Sequence, residues 1–145
     1  MPLEVLPSIH DLGPLEQGGP VARTGFVYQD HVAARFCIDM LRNARLVAAW
    51  CETLDDITLL WMGENGQVTV EFVQVKSNDL GQMWSVALIC DGGKGSLVAR
   101  SLAQHRCHEP CCFRVVTRVG VQPDLRVLLL SRDHTDRCIG RLRST

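Results

Sequence analysis

Asp56 is followed, 18 positions on, by Gln74-Val75-Lys76. Residues 67–76, Gln-Val-Thr-Val-Glu-Phe-Val-Gln-Val-Lys, are rich in valine and aromatic residues and read as a strand. Side chains two apart on a strand share a face, so Gln74 and Lys76 point the same way. The run before them, Asp56-Ile-Thr-Leu-Leu-Trp61, reads as the partner strand, and Gly63-Glu64-Asn65-Gly66 as the turn between. A three-residue turn at 64–66 sets Asp56 opposite Gln74 on that face. One carboxylate, one amide oxygen and one ammonium would then meet. Oxygen donors of this kind hold a hard divalent cation, which polarises a phosphate and acidifies water. An ammonium offsets charge developing on the phosphorus centre. The expected chemistry is phosphodiester hydrolysis. A plain hairpin with an incidental Asp–Lys pair has the same spacing and would contribute little. A two-residue turn at Asn65-Gly66 would shift the register and bring Asp55 opposite Lys76, so Asp55 competes with Asp56. Glu52 and Glu71 are weaker candidates, and Glu71 alternates to the other face from Gln74.

The elements that must position these residues follow from periodicity. Phe26, Val32, Ala33, Phe36, Met40 and Leu41 recur at mostly helical steps, predicting a helix from about Thr24 to Arg45, with Thr24 or a neighbour as its cap. Leu46–Trp50 either finishes that helix or begins a strand. Met83–Cys90 suits a short helix, and Ser96 suits the cap of a second helix over 97–105. Strands are expected over 111–118 and 125–131. The order predicts a mixed α/β fold around one sheet.

One domain fits 145 residues, of which 46% are hydrophobic and 21% charged. That composition excludes disorder, collagen and coiled coil. Residues 1–17, with Pro2, Pro7, Gly13 and Pro14, read as an irregular lead-in, and 18–145 as the domain. No apolar run reaches a membrane span and no signal peptide is evident, so a cytoplasmic, membrane-free protein is expected. The seven cysteines are odd in number and mostly lie in apolar stretches, which suits buried reduced thiols. Net charge is −1, but residues 1–89 hold 5 basic and 11 acidic side chains and residues 90–145 hold 10 and 5. A basic C-terminal half suits an anionic polymer, and chance in a short chain gives such asymmetry too.

The Asp56…Gln74-x-Lys76 pattern resembles the PD-(D/E)XK nucleases, most of all the Mrr-type branch with Gln-x-Lys. A longer series is more specific. Gly18-Gly19-x-x-Ala22-Arg23-x-Gly25-Phe26-x-Tyr28-Gln29 precedes Asp55-Asp56-Ile57 and Phe72-Val73-Gln74-Val75-Lys76-Ser77. Then come Trp84, Gly95-Ser96-Leu97-Val98-x-x-Ser101-Leu102 and Glu109-Pro110-Cys111-x-Phe113-Arg114-Val115-Val116-Thr117. In order and spacing this resembles the endonuclease domain of bacterial anti-phage effectors. These include the CD-NTase-associated double-stranded DNA endonucleases and nucleases that work with a HerA-type ATPase. The resemblance covers about residues 18–131.

It implies a restriction-endonuclease-like αβββαβ core and a Mg²⁺-dependent (or Mn²⁺-dependent) DNA endonuclease of bacterial defence. Asp56 and Gln74 would hold the metal, and Lys76 would be the catalytic lysine. Gln29 sits where first-helix residues of this fold reach the site, a position that an ordinary capping amide also suits. Relatives usually carry a second domain for sensing or partner binding, so the chain would be either an isolated nuclease domain or the N-terminal part of a longer protein. Double-stranded DNA, a homo-oligomer, and a HerA-type ATPase or sensor domain are the implied partners. Gln at an acidic position also suits a degenerate module that binds DNA or protein without cutting, and an RNase can use the same fold.

Lys94, Arg100 and Arg106 are candidate phosphate contacts, along with Arg114 and Arg118. Gly92-Gly93-Lys94-Gly95-Ser96 lacks the spacing of a phosphate loop and reads as a loop with a capping serine. His105-x-Cys107-His108-x-x-Cys111-Cys112 has zinc-type residues, but zinc needs paired ligands from two elements, and Cys111-Cys112 opens an apolar strand.

Overall fold

A computed structural model describes residues 6–13, 23–76 and 81–129. Helix α1 (Arg23–Arg42) leads into strands β1 (Leu46–Cys51), β2 (Ile57–Met62) and β3 (Val68–Lys76). Helices α2 (Val86–Cys90) and α3 (Leu97–Ala103) follow, then strand β4 (Cys111–Thr117). The sheet order is β1-β2-β3-β4. The first three strands form an antiparallel meander, and β4 returns parallel to β3 through the α2–α3 crossover. This αβββαβ order with a four-stranded mixed sheet is the expected fold class.

The β2–β3 turn takes the three-residue form. Gly63 N–H donates to Gln67 O at 2.8 Å, and Asn65 Oδ1 accepts from Gln67 N–H at 3.0 Å. Gly66 sits at φ +77°, a conformation that glycine adopts at little cost. The register therefore pairs Ile57 with Val73 and Met62 with Val68.

Alternation then sorts two cores. Toward α1 lie Ile57, Leu59 and Val73, packed with Phe36 and Leu46 and flanked by Val32, Ala33 and Met40. On the other face lie Leu60, Val70 and Phe72, with Leu54, Ile9 and Cys107. Phe72 stacks on Phe113 at 5.8 Å between centroids. Thr58, Gln74 and Lys76 alternate onto this second face. The first face also buries an ion pair. Arg114 Nε lies 2.5 Å from Glu71 Oε1, its guanidinium sits 5.7 Å from the Phe36 ring centroid, and Trp61 Nε1 donates to Glu71 Oε2 at 2.7 Å. Arg114 is thus half-buried against α1.

Several expectations change. Leu46–Cys51 is a strand, and α1 ends at Arg42, with Thr24 inside the helix. Ser96 does cap α3, accepting from Ala99 N–H at 3.1 Å, and Ser85 caps α2. The strand expected over 125–131 is corrected. A 3₁₀ helix runs Pro123–Leu128, and 130–131 lie outside the described residues. Pro123 fixes φ for a helical start and lacks an N–H for a ladder. Asp124 Oδ2 meanwhile accepts from Val86 N–H at 3.0 Å. The thiols are also less buried than expected: Cys37, Cys51 and Cys90 are exposed, and Cys107 alone among the described cysteines is fully buried. Cys138 lies outside the described residues.

The lead-in contributes to the core. Ile9, in a 3₁₀ turn over Ile9–Asp11, is 1% exposed. Glu109 holds it there, accepting from Ser8 Oγ at 2.8 Å and Ile9 N–H at 3.0 Å. Ile9→Ala should therefore cost about 2–5 kcal/mol, the range for a buried aliphatic truncation. Urea denaturation of the two proteins measures it, and a loss under 0.5 kcal/mol would show that the turn does not seal the core.

Candidate functional site

The site is built at the end of the β2–β3 ladder. β2 stops at Ile57, so the next inward-facing N–H of β3, that of Val75, has no strand partner there. Asp56 Oδ2 accepts it at 2.7 Å. Its carboxylate thus lies beside the backbone that joins Gln74 to Lys76. Gln74 is 2% exposed, and its Oε1 has no hydrogen-bond partner. A buried carbonyl oxygen left unpaired costs roughly 1–3 kcal/mol, so it marks a place where a ligand would be bound.

Asp55 joins the same corner. Its Oδ1 accepts from Asp56 N–H at 3.0 Å, and its buried Oδ2 has no partner. Burial pushes its pKa up to about 6, and the Asp56 charge adds to this. The Asp56 N–H and the charges of Lys76 and Arg100 oppose the rise without cancelling it. Both carboxylates therefore belong to one electrostatic unit with Lys76, and the charge of Arg100 on α3 also acts on Asp55.

The turn between β1 and β2 is held from α1. Gln29 Nε2 donates to Glu52 Oε1 and, at 3.3 Å, to Asp56 O. Glu52 N–H closes the turn onto Asp56 O at 3.1 Å. Glu52 takes φ +55°, a left-handed conformation that costs a non-glycine residue about 1 kcal/mol or more. Across the open end of the sheet, Thr117 pairs with Lys76 and accepts from Trp84 Nε1 at 2.8 Å. Arg118 lies 5.6 Å from the Tyr28 ring centroid, tying β4 to α1.

Asp55, Asp56, Gln74, Lys76, Gln29 and Arg100 thus gather around one corner. Lys94 is exposed in the turn that precedes α3. Arg106 is directed elsewhere, its Nη2 donating to Gly13 O at 2.7 Å. Glu52 and Gln104 are the residues sequence reasoning undervalued or missed. Only a positive φ and a contact distant in sequence reveal them, and neither leaves a local signal. The thiols of Cys107 and Cys111 lie 3.4 Å apart. Among the described residues, no group of three His, Cys, Asp or Glu side chains is placed to hold a metal. Any cation here would need amide or backbone oxygens as well as carboxylates, and the unpaired oxygens of Gln74 and Asp55 fit that need.

The αβββαβ core with its four-stranded mixed sheet is consistent with a restriction-endonuclease-like domain, and two carboxylates, a buried amide and a lysine lie at the open end of that sheet. Residues 17–145 match the family model described as Cap4, dsDNA endonuclease domain, and the chain belongs to that family. It is also 36% identical over 81 residues to Anti-bacteriophage protein A of Escherichia coli (strain K12). That alignment covers 56% of this chain and 14% of the relative, so the chain spans a small part of the curated protein it matches. No solved structure matches it.

Asp55 gives the site a pH signature. Its folded-state pKa is raised from 3.8 to about 6, so its burial is tolerated while it is protonated and opposes folding as pH rises through 6. Asp55→Asn should be more stable than the parent at pH 8 by about 1–2 kcal/mol, allowing for solvent screening of a partly exposed group. Below about pH 4 the difference should vanish. Denaturation in EDTA across this range checks it, and a difference independent of pH would contradict the assignment.

Proposed function

We propose that the chain is a divalent-metal-dependent nuclease module that hydrolyses double-stranded DNA in anti-phage defence, following the PD-(D/E)XK scheme with glutamine at the second position. The observation that carries this reading is the unpaired, buried Oε1 of Gln74, next along the strand from the amide that Asp56 binds. Membership in a double-stranded DNA endonuclease family supports the substrate. Similarity to an anti-bacteriophage protein supports the setting.

Asp56 and Gln74 would hold Mg²⁺ or Mn²⁺, with Asp55 as a further oxygen donor. Such a cation supplies polarisation of the phosphate and acidification of water. The protein's own groups do the rest. Lys76 offsets the charge that develops on the phosphate in the transition state, an effect that raises rate more than affinity. Gln29 fixes the turn that carries Asp56. Arg100 and Lys94 track backbone phosphates from α3 and its leading turn. Arg106, engaged with Gly13, has less freedom to do so.

One such site cuts one strand. A double-strand break therefore calls for a second copy, and a symmetric homo-oligomer is the simplest source. The short coverage of the relative leaves room for a sensor domain or a HerA-type ATPase as the controlling partner. Among the described residues no helix is long and apolar enough to cross a membrane.

Plasmid nicking is the test. Wild type should cut duplex DNA with Mg²⁺ or Mn²⁺ and stop in excess EDTA. Lys76→Ala should lose about 10²–10³-fold in rate, as for other electrostatic stabilisers. Its thermal midpoint should barely move, because surface changes shift stability by about 0.5 kcal/mol or less. Wild type that binds DNA and never cuts would establish the binding module instead, and preferential cutting of RNA would establish an RNase.

A further inference from the structure

Gln104 lies far in sequence from Asp55, Asp56, Gln74 and Lys76, at the C-terminal cap of α3, and is 7% exposed. Its Nε2 donates to Leu54 O at 2.5 Å across 50 residues of chain. Leu54 immediately precedes Asp55 and Asp56 and is itself 7% exposed, packed with Ile9 and Phe72. The other amide atom, Oε1, is buried without a partner. A buried side chain that leaves one end unpaired is oriented by the bond at its other end. The acidic turn is therefore gripped twice. Gln29 holds Asp56 O from the α1 side, and Gln104 holds Leu54 O from the α3 side.

We propose that Gln104 is a positioning residue that fixes the Leu54–Asp56 backbone and thereby aims the Asp56 carboxylate at Val75 N–H and at the metal position. The proposal rests on the reading given under Proposed function for its catalytic consequence, and on hydrogen bonds alone for its structural one. Helix α3 carries both Arg100, whose charge acts on Asp55, and Gln104, which grips the turn. A phosphate contact made by this helix would bear on the same backbone that sets the carboxylate.

Gln104→Met tests the idea, because methionine has a similar shape and no donor. Three readouts on the 145-residue chain, taken well below the thermal midpoint, separate positioning from bulk stability. Amide exchange at Val75 should quicken at least tenfold relative to the β3 amides nearer the turn. Calorimetric Mn²⁺ affinity should fall several-fold. Nicking kcat should fall about 10–100-fold with KM for DNA nearly unchanged, the pattern of a misplaced reacting group. Wild-type Val75 protection in a folded Gln104→Met protein would overturn the proposal. Should that variant fail to fold, Gln104→Glu decides. Its neutral carboxyl donates to Leu54 O, and its ionised form cannot. Val75 protection should match wild type at acidic pH and fall as that carboxyl titrates, followed by carbon NMR. Protection equal to wild type throughout the titration would overturn the proposal equally. If wild type neither binds Mn²⁺ nor cuts DNA, the functional reading fails, while the Val75 exchange result still judges Gln104.

Discussion

The hydrogen bond from Val75 N–H to Asp56 Oδ2 is the contact on which the site depends. It exists because the β2–β3 pairing ends at Ile57 and Val73, two residues before Val75, whose N–H would meet the next carbonyl of a longer β2. A strand would normally continue there and satisfy that donor with a carbonyl. A carboxylate takes the place of the carbonyl, so the sheet's own ladder fixes the height of an ionisable group. The three-residue turn fixes the register that makes this so. A slip of one residue would carry Gln74 and Lys76 to the α1 face and bring Glu71 in their place. Gly66 at positive φ therefore acts at a distance on the chemistry, through the pairing that it permits.

The two faces of the sheet divide the work of burial. The α1 face keeps its one charged pair, Glu71 and Arg114, enclosed by Phe36 and Trp61. That arrangement ties the half-buried Arg114 to the α1 face and limits its freedom to reach a partner. The other face grades from aromatic to polar along a single strand: Val70 and Phe72 are sealed, Gln74 is buried but unpaired, and Lys76 reaches the rim. Burial thus loosens one alternating step at a time. The polar end of the strand lies beside the turn that carries both carboxylates. The fold and the site meet at Gln74, where an apolar environment raises the energy of an oxygen that has no donor.

What could be read in the sequence follows the range of the forces involved. The hairpin was legible because Asn65-Gly66 and alternating valines are local signals, and so were the Ser96 cap and a strand near 111–117, though not its parallel pairing with β3. The fate of Leu46–Trp50 was undecided, since a short apolar run fits helix or strand until a partner strand is known. Residues 125–131 misled, because their leucines suggest a strand while Pro123 and the Asp124 cap of Val86 start a 3₁₀ turn. Ile9 and Gln104 were invisible for the same reason. Each contributes through a partner roughly 50–100 residues away, and no local pattern announces such a partner. The candidate triad of Asp56, Gln74 and Lys76 was legible as a spacing. The gripping amides and the strained Glu52 required coordinates.

The identity of residue 74 then acquires a physical reason. Asp55 and Asp56 already share one corner, and burial together with their mutual repulsion keeps Asp55 titrating near 6. A third carboxylate at position 74 would be nearly fully buried and would add a like charge one residue along the strand from the amide that Asp56 binds. Lys76 and Arg100 are the cations on hand, and their pull already fails to offset the burial of Asp55. Like charges at such distances force one group to stay protonated, which would remove a ligand as fast as the acid supplied one. An amide supplies the oxygen without the charge. It binds a hard cation more weakly than a carboxylate does, but it spares the empty site the repulsion that a third acid would bring. Under the proposed function the glutamine would be a neutral donor matched to a crowded acidic corner, and the second aspartate of the Asp55-Asp56 pair would supply the charge that position 74 forgoes.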